Sequence, residues 1–346
     1  MKRPVWLFSL DSEGSPSAPL TTGGLAAYFL RNGRTRAQTE IELVHFLGAD
    51  RIEPWIRERW CSPLVHRARE ASMNGEQPVL GFSLYTWNVA EFLALIGRLK
   101  ADCPGALVVA GGPHVQQAEE FLFQAGIDVV VLGEGEITFQ QLLDCPDRAG
   151  WLGIAGLAYP DAEGIHLTAP RQRVRELDLL PSALELVPLR DTNGKPLYKA
   201  ICYETSRGCP HGCAFCGWNS GGVRSKIARL SAERIRSDLE RIGRGGIQDV
   251  WICDSNWGAL KQDLATAELL AEIRRRTGLP SMIGASWDKR HGKRTQQIAL
   301  LLHRHGMLHN YNLALQTLPP LALELSHRAN MPINLYRSLA KSISES

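Results

Sequence analysis

Ser206-Arg207-Gly208-Cys209-Pro210-His211-Gly212-Cys213-Ala214-Phe215-Cys216-Gly217-Trp218 follows a β-rich run at 200–205 and packs three cysteines into eight residues. Cys209, Cys213 and Cys216 have C-x3-C-x2-C spacing, so three thiols share one tight loop. Gly208 and Gly212 let the backbone turn close to whatever the thiols hold. A structural zinc takes four ligands, usually from two separated pairs, and the chain has no second C-x2-C. Iron–sulfur clusters are held by thiolates, and three of them leave one iron of a four-iron cube open. The loop is therefore read as an iron–sulfur site in preference to zinc, with His211 pointing away.

Outward from this loop, the second half of the chain alternates strand and helix patterns. Strands are expected at 200–205, 249–254, 282–286 and 311–316. Ile235, Leu239 and Ile242 mark the helix after the first strand, and Leu264, Leu269, Leu270 and Ile273 the next. Ile298, Leu301 and Leu302 mark a third, and a last helix is expected at 333–342. The repeat predicts four parallel βα units, too few strands to close a barrel.

The first half has the same alternation. Short β-rich runs at 5–9, 40–46, 78–83, 106–110 and 127–132 are separated by helical patterns at 23–30, 64–72, 89–99, 116–124 and 137–143. Val89, Phe92, Leu93, Ile96 and Leu99 form the clearest amphipathic stripe, and Gly33 and Gly126 stand where helix C-caps belong. Five β-then-α units predict a parallel sheet covered on both faces, in flavodoxin-like order, with ligands bound beyond the C-terminal strand ends. Three of those ends carry suggestive strings: Ser83-Leu84-Tyr85-Thr86-Trp87-Asn88, Gly111-Gly112-Pro113-His114 and Gly133-Glu134-Gly135-Glu136. Each alone reads equally well as a tight turn; three at neighbouring strand ends favour a site for a large cofactor. Between the halves come a hairpin around Asp161–Gly164 and a connector spaced by Pro170, Pro181, Pro188 and Pro196. The expected domains are thus 1–150, a linker at 151–198, and 199–346.

Composition narrows the class. At 346 residues, 44% hydrophobic and 22% charged, the chain is an ordinary globular protein, which excludes disorder and coiled coil as whole-chain descriptions. Net charge is +3, too balanced to argue for nucleic acid. No apolar run approaches the ~18 residues of a membrane span, and the apolar stretch after Lys2-Arg3 is too short for a signal peptide. A cytoplasmic location is expected, where eight cysteines suggest metal binding or catalysis in preference to disulfides.

The cysteine loop resembles the CxxxCxxC signature of the radical S-adenosylmethionine (SAM) enzymes, and Phe215 before the last cysteine strengthens the match. The strand-end strings of the first half look like the cobalamin (B12) binding domain that precedes the cluster domain in cobalamin-dependent members. The resemblance runs from about residue 4 to 340 and implies an N-terminal Rossmann/flavodoxin-like domain followed by a partial (β/α) barrel. It implies three cofactors: a [4Fe-4S] cluster on Cys209, Cys213 and Cys216, SAM on the open iron, and cobalamin. Ser83, Tyr85, Thr86, Trp87, Asn88, Gly111, Gly112, Pro113, His114, Gly133, Glu134, Gly135 and Glu136 are the cobalamin candidates. The loop after the first strand lacks histidine, and the first of the ten histidines is His45. Cobalamin is therefore expected without a histidine on cobalt.

For SAM the candidates are Phe215, Trp218, Asp254, Asn256, Ser286 and Gln316, with an Asx turn the alternative for Asn256. Cys253 is read as a buried strand residue. Trp218, Trp257 and Trp287 form either an aromatic wall around corrin, adenine or an aromatic substrate, or packing at the interface between the domains. The resemblance implies a methyltransferase that carries a methyl group from SAM through cobalamin to a carbon of a small-molecule or peptide natural product. It implies an electron donor such as flavodoxin or ferredoxin. A cyclising or rearranging relative, or a binding protein without turnover, is the alternative. The resemblance also implies two strands beyond the fourth, so the barrel is expected to be truncated.

Overall fold

A computed structural model describes residues 2–11, 17–124, 126–216, 226–290, 292–308, 311–312 and 314–344. Two compact units divide the chain: Met1–Val174 with Leu179–Pro188, and Arg175–Asp178 with Leu189–Ser346.

The first unit is built on a seven-stranded sheet in the order β2-β1-β3-β4-β5-β6-β7. Its strands are β1 (Arg3–Leu10), β2 (Thr39–Phe46), β3 (Val79–Ser83), β4 (Leu107–Gly111), β5 (Val129–Val131), β6 (Leu157–Asp161) and β7 (Gly164–Leu167). The first five are parallel, in the flavodoxin-like order expected. The hairpin β6-β7 adds antiparallel to β5, with Asp161 opposite Gly164. Because both faces are covered, the strands are apolar along their length. On β1, Trp6, Phe8 and Leu10 face one core and Val5 and Leu7 the other. The first core is aromatic: the Phe8 and Phe82 rings stack at 4.6 Å, and Trp6 meets Trp60 edge-on at 5.8 Å.

The helices are α1 (Leu20–Asn32), α2 (Ile52–Trp55), α3 (Val65–Met73), α4 (Val89–Asp102) and α5 (Gly135–Leu143). On α4, Phe92, Leu95, Ile96 and Leu99 are buried, the spacing of one helical face. The helix expected at 64–72 is longer, because a π-helical stretch, Ile56–Leu64, joins α2 to α3 around Pro63. Proline removes one helical N–H, which a wider turn accommodates. The helix expected at 116–124 is only a 3-10 turn, Ala118–Glu120. There Phe121 and Leu122 are buried but Phe123 is exposed, a contiguous apolar run and not a helical stripe. Gly33 caps α1 in extended backbone, φ −66°, donating to the Phe29 carbonyl.

The second unit holds a three-stranded parallel sheet in the order β12-β11-β8. Its strands are β8 (Ala200–Tyr203), β11 (Asp249–Trp257) and β12 (Met282–Trp287). The helices are α6 (Ala232–Gly245), α7 (Lys261–Thr277), α8 (Lys293–Arg304), α9 (Pro320–Leu325) and α10 (Ile333–Ser344). Ser231 caps α6 through its hydroxyl, and Gly246 closes it in the left-handed conformation. A two-residue antiparallel ladder, β9 (Ser206–Arg207) with β10 (Ala228–Arg229), brackets the cysteine loop. The fourth strand expected at 311–316 is not seen among the described residues of that stretch. Gln316 there has φ 61°, which breaks an extended run.

Candidate functional site

In the first unit, β1, β3, β4 and β5 are consecutive neighbours, so their C-terminal ends form one edge. Asn88 is fully buried and ties two of these ends together. Its side-chain N–H groups donate to the Ser83 and Leu10 carbonyls at 3.1 and 3.3 Å, and its oxygen accepts from the Tyr85 N–H at 2.8 Å. Trp87 donates from its indole to the same Leu10 carbonyl at 3.1 Å. The Tyr85 and Trp87 rings stack at 4.4 Å, and the Tyr85 hydroxyl lies 2.9 Å from that of Thr21 at the start of α1. Nearly half of Trp87 is exposed and Thr86 is exposed, so the stack is an aromatic shelf facing outward.

The next loop interlocks with this one. Leu84 donates its N–H to Gly111 and accepts from the His114 N–H, at 2.7 and 3.1 Å. Gly112 has φ 113°, and a Cβ there would fall 2.6 Å from the Leu84 carbonyl oxygen. Pro113 is exposed, and His114 packs edge-on to Phe121. In the third loop Gly133 has φ 84° with open space where a Cβ would stand. Glu134 points inward to the connector, accepting from Arg173 Nε at 3.1 Å and the Val174 N–H at 2.7 Å. Gly135 and Glu136 open α5, whose N-terminus attracts negative charge.

Two features make this edge a candidate ligand site. The Ser83 hydroxyl is buried at the β3 end with no hydrogen-bond partner, a cost that a bound polar group removes. The glycines at Gly112 and Gly133 keep side chains out of the same edge. Both fit a large polar cofactor such as cobalamin. His45, on β2, is engaged through both ring nitrogens. Nε2 donates to the Ser17 carbonyl at 2.9 Å, so Nδ1 accepts from the Ser9 hydroxyl at 2.9 Å. Burial lowers its pKa and keeps that neutral form.

In the second unit, Asp254 organises the approach to the cysteines. Its buried carboxylate accepts from the amides of Thr205 and Ser206 at 2.7 and 3.1 Å, and from their hydroxyls at 2.5 and 2.7 Å. Burial pushes this carboxyl above the ordinary range against those four bonds. All its near partners are internal, so the structure gives it to the loop stem and not to a free ligand-facing surface. Asn256, two residues on, faces the thiols: its amide N–H donates to Cys209 Sγ at 3.2 Å, and its oxygen is buried without a partner.

Cys209 and Cys213 are buried and Cys216 half-buried, with the Cys216 N–H donating to the Cys213 carbonyl at 3.2 Å. Lys289, from the loop after β12, places Nζ 2.8 Å from Cys213 Sγ. Among the described residues no three histidine, cysteine, aspartate or glutamate side chains, the three loop thiols included, are gathered into a metal-holding group. The donor set nonetheless suits an iron–sulfur cluster: three sulfurs on one loop, two of them already met by N–H donors. Phe215 is exposed in the loop, Ser286 is exposed near the β12 end, and Gln316 is exposed. Trp218 lies outside the described residues.

Trp257 and Trp287 are buried, 5.2 Å apart, and Trp287 packs on Tyr311 at 4.8 Å. Cys253 is half-buried on β11, its thiol pKa raised by a hydrogen bond with Cys202 and by burial. Sequence reasoning missed Lys289, because a lone lysine in a βα loop carries no signature.

The two units thus make an α/β chain with a candidate strand-end cofactor site followed by a three-cysteine loop. Residues 62–143 match the family model described as the B12 binding domain. The chain is 30% identical to the 2-(S-pantetheinyl)-carbapenam-3-carboxylate methyltransferase of Streptantibioticus cattleyicolor, over 97% of this chain and 48% of that protein. It is also 30% identical to the cobalamin-dependent radical SAM methyltransferase TokK of Streptomyces tokunonensis, over 76% of this chain and 40% of that one. The fold is similar to that of the radical SAM methyltransferase TsrM of Kitasatospora setae, solved with tryptophan and a SAM analogue. That match has a TM-score of 0.66 at 16% identity, over 97% of this chain and 64% of the other. The chain thus carries a B12 binding domain and is similar to cobalamin-dependent radical SAM methyltransferases, a likeness that brings cobalamin, a [4Fe-4S] cluster and SAM as its cofactors. It spans about half the length of the curated relatives it matches.

Proposed function

We propose that this chain holds cobalamin and a SAM-binding iron–sulfur cluster within a methyltransferase that acts on a carbon of a small-molecule or peptide natural product. The observation that carries the reading is the pairing, in one chain, of a three-cysteine loop with a strand-end site where a buried serine hydroxyl awaits a partner. The carbapenam named for one relative and the tryptophan bound to the other support a small substrate.

Once bound, the three groups would supply methyl transfer from SAM by way of cobalt, with a cluster-derived electron for radical cleavage of SAM. This chain's residues do the holding. Cys209, Cys213 and Cys216 take three irons, while Asp254 fixes the stem that aims them. The free Asn256 oxygen is an acceptor for the SAM ammonium, and Phe215, Ser286 and Gln316 stand as further SAM contacts. Ser83, Gly111, Gly112, Pro113, His114, Gly133, Gly135 and Glu136 bound the cobalamin edge. Asn88 and Glu134 hold its loops in place, and the Tyr85–Trp87 shelf with Thr86 covers it. With His45 engaged on both nitrogens, neither β1 nor β2 would offer a histidine to a bound cobalamin. A flavodoxin- or ferredoxin-class donor would supply the electron, and a cysteine loop read as a metal site supports a cytoplasmic location.

The test is anaerobic reconstitution with iron, sulfide and cobalamin, followed by reduction and addition of SAM. About four irons per chain, lost in Cys213→Ala, and formation of S-adenosylhomocysteine are expected. One tightly held zinc and no iron would overturn the reading.

A further inference from the structure

The two buried cysteines of the loop each meet a nitrogen donor from a neighbouring strand end, but the donors differ in charge. Asn256 on β11 offers a neutral amide to Cys209 at 3.2 Å. Lys289, two residues past β12, offers an ammonium to Cys213 at 2.8 Å. An ammonium has three donors and no acceptor, so at this contact the sulfur can only accept. A hydrogen bond with an ionised partner is shorter and roughly twice as strong as a neutral one. Cys213 is 3% exposed and Lys289 is half-buried, so water screens this contact less than it would a surface pair.

The reduction potential of an iron–sulfur centre is set by its charge, by hydrogen bonds to its sulfurs and by solvent exposure. Reduction adds one electron to an assembly that is already anionic. A cation against one ligand sulfur therefore stabilises the reduced form more than the oxidised form. Asn256 donates without a charge and contributes less. We infer that Lys289, acting through Cys213, raises the potential of the cluster and so eases its reduction by a low-potential electron donor. Lys289 is a positioning residue in this account, and the inference rests on the iron–sulfur reading above.

The experiment is a mediated redox titration of the reconstituted protein, following the reduced cluster by electron paramagnetic resonance (EPR). Wild type is compared with Lys289→Met, Lys289→Gln and Lys289→Arg, each first assayed for iron. At the wild-type midpoint, Lys289→Met should show a reduced-to-oxidised ratio about tenfold lower, a shift of about 59 mV for one electron. Lys289→Arg should titrate close to wild type, and Lys289→Gln should fall below it. A Lys289→Met protein with full iron and the wild-type midpoint overturns the inference. If that variant loses its iron, coincident midpoints for the Gln and Arg variants overturn it instead. Wild-type protein that takes up no iron refutes the cluster itself, a failure seen in the iron assay before any titration.

Discussion

Gly112 admits no side chain for two separate reasons, a left-handed φ of 113° and a Cβ position 2.6 Å from the Leu84 carbonyl oxygen. Only backbone is available to yield there, so Gly112→Ala should cost roughly 1–3 kcal/mol of stability from the backbone strain alone. It should also release cobalamin, because Leu84 joins the Ser83 and Gly111 strand ends. Urea unfolding and the absorbance of retained cobalamin measure the two effects; wild-type values for both would remove Gly112 from the site. The glycine pair was legible in the sequence as a close-approach signal. The division of labour among its neighbours was not, since Asn88 and Glu134 look identical to ligand contacts until their partners at Leu10 and Val174 are seen. Asp254 is the same case in the second unit. A carboxylate at a strand end suits an ammonium, yet its oxygens close on Thr205 and Ser206, 49 and 48 residues earlier in the chain.

Among the elements, helices and strands with a clear period were readable and irregular ones were not. α4 follows its apolar stripe, and the parallel order of β1 to β5 follows from their alternation with helices. The run Phe121-Leu122-Phe123 instead supplied helical composition without helical spacing, and only a single 3-10 turn forms. The start of α7 carries a prediction of its own. Asp263 caps it by accepting from the Gly258 and Leu260 N–H groups at 2.7 and 2.9 Å, while its other oxygen is buried without a partner. Burial outweighs those bonds and pushes the carboxyl up to about 6. A raised acid binds its proton more tightly in the folded state, so its contribution to stability falls as pH rises from about 4 to about 6. The full effect is about 3 kcal/mol at most. Asp263→Asn, which carries no titrating proton, should flatten the dependence of the urea midpoint on pH across that window. An unchanged slope would show that Asp263 titrates normally.

At the scale of the whole molecule, the two candidate cofactor sites sit in two compact units of one chain, each at the C-terminal ends of parallel strands. Such ends collect loops and helix N-termini, which is why both candidate sites could be proposed from strings following β-rich runs. Less legible was the extent of the second sheet, because the described part of 311–316 is not a strand, although its apolar pattern resembles one. No helix among the described residues is long and apolar enough to cross a membrane. The central claim is that this chain carries a [4Fe-4S] cluster and cobalamin together, with no histidine on cobalt. EPR of one anaerobically reconstituted sample tests it most directly, recorded first with cob(II)alamin and then after reduction. The account predicts a cob(II)alamin spectrum without nitrogen superhyperfine coupling, followed by a reduced-cluster signal that is absent from Cys213→Ala. Nitrogen coupling on cobalt, or a cluster signal that survives loss of Cys213, would contradict it.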